Sequence, residues 1–345
     1  MAYPRPLSSK TILKMLEEAQ IDNKKADFLY ELYHCASNLY GIIMLEELWN
    51  VYKALKSENK YPSIKKKELI AFSDIVRRQN LPYRVYEMEE IYKGQKEGKE
   101  FRLLIKKDLT GQEGFARDEL LYIDKQRYEY PFYVPKDILV FTDDYETLEA
   151  KNFRICLENL ICKQKYITNE EGRKIRNPNF RKKLKDYSYM DQLDYHILRV
   201  YSENNSPYNR KKLEEFKNNM SLPASMRIYT MIVKPIKKGY MKFTLIVSML
   251  FDYLQDAGAE VDEREANMIL KYFMDMYNNT HQFSMGGWAP HELALAYPPN
   301  PDAKPSIMFG ENLERMFAEG EIDREEYEKA IRDAGLEVFD PDKNH

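Results

Sequence analysis

At 345 residues and 41.1 kDa the chain is longer than one small core organises, and at roughly 150 residues per domain two or three domains are expected. Its 53 Lys and Arg nearly cancel 56 Asp and Glu, for a net charge of −3. That balance excludes a uniformly basic chromatin-type protein, and 43% apolar residues exclude a wholly disordered one. The 13 glycines, about half the average usage of roughly 7%, argue against a turn-rich all-β chain or a glycine-loop enzyme.

Taken in chain order, helical spacing runs over Thr11–Glu18 and Ala26–Asn38, breaks at Tyr40-Gly41, and resumes over Leu45–Lys56. Ser63 is the expected N-cap of a helix reaching about Arg78, with Leu69, Phe72 and Val76 on one face. After Pro82 the period changes, and Tyr83–Tyr86 and Phe101–Ile105 read as two strands joined by the polar stretch Lys93–Lys99. Three helices followed by a hairpin is the order of a winged helix. Thr110-Gly-Gln-Glu113 then predicts a capping box for a helix to about Gln126. Pro131 and Pro135 predict an extended connector.

From Asp143 onward the character is helical. Tyr145–Lys163 would bury Leu148, Ile155 and Leu160, Tyr187–Glu203 carries an apolar stripe, and Phe243–Phe251 reads as a buried helix. That last run has nine residues, against the roughly 20 a bilayer requires. Asp262 starts the clearest amphipathic pattern, Ala266, Ile269, Leu270, Phe273 and Tyr277. Residues 298–305 hold four prolines and predict a linker, followed by a helical hairpin, Asn312–Glu319 and Asp323–Ala334. The expected architecture is therefore mainly α (α-rich α+β): a winged-helix-like domain with a β-hairpin over 1–142, a helical domain over 143–297, and a linker with a C-terminal helical hairpin over 298–345.

Two basic regions are candidates for nucleic-acid contact. Residues 163–185 carry nine basic and two acidic side chains, among them Arg173, Lys174, Arg176, Arg181, Lys182, Lys183 and Lys185, a charge excess that attracts phosphates. A solvated loop between helices is the competing reading. On the presumptive third helix Lys67 and Arg78 lie opposite the apolar face, and the wing offers Lys93, Lys96 and Lys99. Asp74, in the middle of that outer face, works against phosphate contact.

Catalytic signatures are weak. His291-Glu-Leu-Ala-Leu295 lacks the second zincin histidine, and Glu31-Leu-Tyr-His34 is a single Glu-x-x-His where a di-iron bundle needs two. Cys35, Cys156 and Cys162 form no CxxC, which supports neither a disulfide framework nor a zinc ribbon and points to a reducing, cytoplasmic setting. Met1–Lys10 has no apolar signal region. Metal and cofactor are not expected. Trp288 sits in Met285-Gly-Gly-Trp-Ala-Pro-His-Glu-Leu293, either as a structural plug or as the wall of a pocket with His281 and His291.

Leu39-Tyr-Gly-Ile-Ile-Met-Leu-Glu-Glu-Leu48 and Gly287-Trp-Ala-Pro-His-Glu-Leu293 resemble motifs of uncharacterised helical proteins of low-GC Gram-positive bacteria, many of which end in a zinc-binding SEC-C motif. That motif is absent here, so zinc is not carried over. The resemblance implies a bacterial, cytosolic, mainly helical protein without an assigned reaction. The residues favour a non-enzymatic regulatory or adaptor protein whose N-terminal domain and basic loop contact either nucleic acid or another protein. The alternatives are a small-molecule-binding protein or enzyme with a pocket near Trp288, and a structural protein–protein interaction module. The C-terminal hairpin, whose Leu313, Met316, Phe317, Tyr327 and Ile331 need a surface to cover them, is expected to dock on the helical domain, the alternative being self-association or a protein partner.

Overall fold

The computed structural model describes residues 3–57, 61–92, 95, 97–110, 115–127, 130–163, 166–168, 173–176, 224–257, 259–298, 306–307, 323–333 and 337–338. The chain is mainly helical with a small three-stranded antiparallel sheet. It falls into two compact units, Met1–Glu292 and Leu293–His345. Among the described residues no helix is long and apolar enough to cross a membrane.

The first unit begins with two capped helices. The Ser8 hydroxyl accepts from the Thr11 N–H at the start of α1 (Ser9–Glu18), and the Asp22 carboxylate accepts from the Lys25 N–H at the start of α2 (Asn23–Tyr40). Gly41 ends α2 at φ 69°, a conformation that favours glycine, and a Cβ there would also lie 2.5 Å from the Phe283 ring. The next three residues, Ile42–Met44, form β1, which the sequence shows only as a break in helical spacing; three residues carry no period. Helices α3 (Leu45–Lys56) and α4 (Lys66–Val76) follow.

The start of α4 corrects the expected cap. Ser63 accepts from Lys56 Nζ at 2.9 Å, while Ile64 is buried with its N–H donated to the Tyr52 hydroxyl at 3.1 Å. The helix therefore begins past Ile64, and Glu68 reaches back to the Lys65 N–H at 2.6 Å.

Strands β2 (Tyr83–Tyr86) and β3 (Leu103–Lys106) pair antiparallel, with a short helix, α5 (Met88–Ile91), in their connection. The strand order is β1-β3-β2, so the last strand in sequence is the central one. This explains the unbroken apolar run Leu103-Leu104-Ile105, because β3 is covered on both faces. Leu104 joins Ile43, Val85 and the helices on one side, whereas Leu103, Ile105 and Ile42 meet Leu120, Ile123 and Phe283 on the other. Leu120 and Ile123 belong to α6 (Phe115–Gln126), which ends where expected; its capping box at 110–113 lies largely outside the described residues.

Tyrosines fill the first core. Tyr33, Tyr40 and Tyr52 are fully buried, and each hydroxyl donates to a backbone carbonyl: Leu69 at 2.7 Å, Tyr133 at 2.7 Å and Pro62 at 2.8 Å. A large apolar body with one satisfied polar tip suits a helix-to-connector contact.

A second core lies among α7 (Leu148–Lys163), α8 (Ala224–Lys238), α9 (Phe243–Asp256) and α10 (Glu263–Asn279). The apolar face of α7 is only partly the expected one. Leu160 is buried as expected, but Leu148 is 67% and Ile155 41% exposed, and Phe153 and Leu157 carry the packing in their place. By contrast α10 follows its pattern, with the Asp262–Glu265 capping box and buried Ile269 and Phe273, Met276 completing the stripe. Between α7 and α8, β4 (Tyr166–Thr168) and β5 (Lys174–Arg176) form an antiparallel hairpin where an irregular loop is the competing expectation. The helix expected over Tyr187–Glu203 lies outside the described residues, as do residues 299–305 of the linker and the hairpin's first helix.

After α10, a tight turn over 281–289 leads into α11 (Pro290–Ala296), with Pro290 at its first position. Within the second unit β6 (Ser306–Ile307) pairs parallel with β7 (Glu337–Val338), flanking α12 (Arg324–Asp333) in sequence. On α12 Ile331 is buried and Tyr327 exposed.

Candidate functional site

The first site is the outer face of α4. Leu69, Phe72, Ile75 and Val76 turn inward, which leaves Lys67 on the helix and Arg78 just past its end exposed to solvent. Asp74 lies between them, and its charge is not left open. Lys99 Nζ donates to one carboxylate oxygen and Arg102 Nη1 to the other, both at 2.8 Å. Arg102, with its side chain only 5% exposed, also forks onto Glu87 and reaches the Ser73 hydroxyl at 2.6 Å. These ion pairs hold Asp74 and Glu87 below the usual carboxylate range against the opposing effect of burial. They also fasten the β2–β3 connection to α4.

Of the three lysines between β2 and β3 that were candidates for phosphate contact, Lys99 is therefore committed to Asp74, while Lys93 and Lys96 lie outside the described residues. In the central basic region Arg173 and Arg176 are exposed on the β4–β5 hairpin and Lys174 stands on β5 between them; Arg181, Lys182, Lys183 and Lys185 lie outside the described residues.

The second site surrounds Trp288. Its indole N–H donates to the Pro131 carbonyl at 2.8 Å and its ring lies 4.9 Å from Tyr133, pinning the proline-rich connector to the turn. His281 is brought to the same place but is enclosed by rings, 5.1 Å from Tyr133 and 5.0 Å from Phe141, with Nδ1 2.7 Å from the Gly287 carbonyl. Glu292 accepts from the Tyr133 hydroxyl at 2.7 Å and stands 3.5 Å from His281. Burial lowers the His281 pKa, and the Glu292 carboxylate only partly opposes it. His291 is exposed on α11. The turn itself is tight: Gly287 adopts φ 85°, and a Cβ on it would meet the Tyr40 ring at 2.7 Å.

Beside this turn stands a polar cluster without a motif in the sequence. Asp143 Oδ1 takes hydrogen bonds from His34 Nε2 at 3.2 Å and Asn38 Nδ2 at 3.1 Å, and Lys106 Nζ, bonded to Asn38 Oδ1, lies 3.9 Å from it. Lys237, near the end of α8, holds its ammonium 5.9 Å above the Phe283 ring. Burial, and then the Lys106 charge, push its pKa down to about 8, with Asp143 and Asp108 pulling the other way. The residues around Asp143 are scattered over 34–143, and each reads alone as a surface polar residue; only the pairing of β3 beside α2 collects them.

Another concave surface, beside α1 and α2, mixes Leu13 and Leu16 with Asn23, Asp27 and Gln79. A groove of about 280 Å³ between α7 and α10 is lined by Ile155, Cys156, Met268 and Tyr272 among others, and burial raises the Cys156 thiol pKa. Cys35 is likewise pushed up, to about 11, and its thiol points at the Leu139 carbonyl. Neither is an activated nucleophile. Among the described residues no group of three or more His, Cys, Asp and Glu side chains is placed to hold a metal ion. No protein-family model matches the chain, and no curated protein or solved structure matches it.

Proposed function

We propose that this chain is a non-enzymatic regulatory or adaptor protein whose residues 23–106 form a winged helix that contacts nucleic acid through the outer face of α4. The observation that carries the reading is the element order α2-β1-α3-α4-β2-β3 with strand order β1-β3-β2. That arrangement leaves the third helix of the set with its cationic side outward. Lys67 and Arg78 mark the two ends of this face, and the one carboxylate between them is neutralised by Lys99 and Arg102. The objection that Asp74 would repel a phosphate backbone is thereby weakened. The exposed Arg173 and Arg176 of the β4–β5 hairpin supply further cationic contacts.

The pocket reading has less support. Trp288 and His281 fill the junction with aromatic contacts and backbone hydrogen bonds, and His291 turns away to solvent. The test is the affinity for a fluorescently labelled duplex as a function of salt. Phosphate contact predicts a linear fall of log K with log salt, with a slope of about −0.9 for each phosphate neutralised. Salt-independent or undetectable binding removes the proposal.

A further inference from the structure

The segment ahead of α1 lies along the end of α4 and the edge of β2. Leu7 donates its N–H to the Arg78 carbonyl at 2.9 Å, and the Tyr3 hydroxyl accepts from the Val85 N–H at 3.2 Å. Arg5 stands between these two ties, with Pro4 and Pro6 on either side restricting the backbone. This segment, the residues after α4 and β2 together enclose a cleft of about 230 Å³ whose walls include Tyr3, Arg5, Gln79, Asn80 and Arg84. Two arginines and no carboxylate are among the described residues that line it.

That lining differs from its surroundings, where arginines are paired. Arg77 forks onto Glu90 and reaches the Val85 carbonyl, and Arg102 is taken by Asp74 and Glu87. Arg84 instead holds its guanidinium carbon 4.9 Å from the centre of the Tyr3 ring and gives one of its five N–H groups to the Tyr86 hydroxyl at 3.2 Å. Its other N–H groups meet no acceptor among the described residues, and the exposed Arg5 meets none there either. Asn80 Oδ1 accepts from Lys107 Nζ at 2.7 Å, which leaves the amide Nδ2 as a further donor.

Guanidinium forks beside an amide donor, with no carboxylate to neutralise them, fit an anion, and planar forks match the oxygens of a phosphate. Arginine and amide side chains are among the usual donors to a nucleic-acid backbone. The cleft also continues the α4 face, because Arg78 at the end of that face is followed directly by Gln79 and Asn80 in the cleft wall. Since the segment bearing Arg5 is tied down at both ends, little ordering is left to be done when a ligand arrives.

We propose that Arg5, Arg84 and Asn80 form a second phosphate-binding point, which takes the sugar–phosphate backbone of a nucleic acid where it leaves the end of α4. This rests on the reading of α4 as the nucleic-acid face and adds the N-terminal segment to that surface.

The experiment is fluorescence anisotropy of the full chain with a labelled duplex over a range of salt. It compares the unmodified protein with Arg5→Gln, with Arg5→Gln plus Arg84→Gln, and with Lys67→Glu plus Arg78→Glu. Arg5→Gln is expected to flatten the slope of log K against log salt by about one unit, and the cleft double variant by about two, with at least a tenfold loss of affinity at low salt. Arg5 is exposed and has no partner among the described residues, so Arg5→Gln is expected to keep the melting temperature. It decides the matter if Arg84→Gln disturbs the Tyr3 contact. Slopes and affinities unchanged in both cleft variants, while the α4 variant loses binding, overturn this inference and leave the α4 reading standing. Undetectable binding by the unmodified chain removes both. A labelled oligoglutamate that loses affinity for the cleft variants when the duplex does not would assign the cleft to an acidic peptide, and that too overturns the proposal.

Discussion

Gly287 is the residue on which the junction depends most directly. It combines φ 85° with a Cβ site 2.7 Å from the Tyr40 ring, and Tyr40 is itself fully buried with its hydroxyl donated to the Tyr133 carbonyl. Neither the turn nor the ring has room to move, so backbone strain and overpacking add. Gly287→Ala is expected to destabilise the chain by roughly 2–4 kcal/mol in urea unfolding; a loss below measurement error would show that the turn can relax. The charge on Lys237 makes a second prediction. Its folded pKa of about 8 lies below the unfolded value of 10.5, so the unfolded chain holds more protons between those values and stability rises with pH across that window. Comparing unmodified protein with Lys237→Met between pH 8 and 10 isolates this group from the tyrosines that titrate nearby. The variant's advantage, about 2–3 kcal/mol at pH 7, is expected to shrink as pH rises. His281 acts in the same sense at lower pH: with its pKa lowered by burial, the stability it contributes is present above about 6.5 and is lost as pH falls through the folded value.

At the scale of elements, Arg102 determines how the β2–β3 connection meets α4. Its guanidinium joins Asp74, Glu87 and Ser73 from three separate segments. Arg102→Met removes the donor and leaves two carboxylates facing each other, although Lys99 stays with Asp74. A loss of about 2–3 kcal/mol by chemical denaturation is expected, together with faster amide exchange across β2 and β3. An unchanged midpoint and unchanged exchange would mean that the connection is held by its apolar contacts alone. Elements with strong signals were legible in the residues: α10 from its capping box and stripe, and the β2–β3 pair from its change of period. Others were not. β1 is too short for alternation to register, and the start of α4 is set by burial of Ile64 against Tyr52, a contact between two helices that local propensity cannot report. Leu148 and Ile155 share a helical spacing, but on the side of α7 opposite Phe153, Leu157 and Leu160, and it is the latter side that packs. The polar cluster around Asp143 was invisible for a further reason, since His34, Asn38, Lys106 and Asp143 share no spacing.

For the whole molecule, near-neutrality is a sum of opposed regions. Residues 163–185 carry nine basic against two acidic side chains, whereas residues 302–345 carry 13 acidic against six basic. Much of the charge around α4 is internally committed: Lys25 to Glu68, Lys66 to Glu46, Lys99 to Asp74. A cation already paired within the chain gains less from meeting a phosphate than an unpaired one. Lys99→Gln is therefore expected to lower duplex affinity less than Lys67→Gln, and equal losses in the two would show that the Lys99–Asp74 pair opens on binding.

The central claim is that the outer face of α4 is the nucleic-acid surface, and charge reversal measures it most directly. Fluorescence anisotropy with a labelled duplex at low salt would compare the unmodified chain, Lys67→Glu with Arg78→Glu, and Arg173→Glu with Arg176→Glu. Each reversed contact is expected to flatten the salt dependence by about one unit of slope. The α4 double variant is expected to lose affinity at least tenfold with its circular dichroism spectrum and melting temperature unchanged, and to lose more than the hairpin variant. Affinity unchanged by reversal of Lys67 and Arg78 would contradict the account.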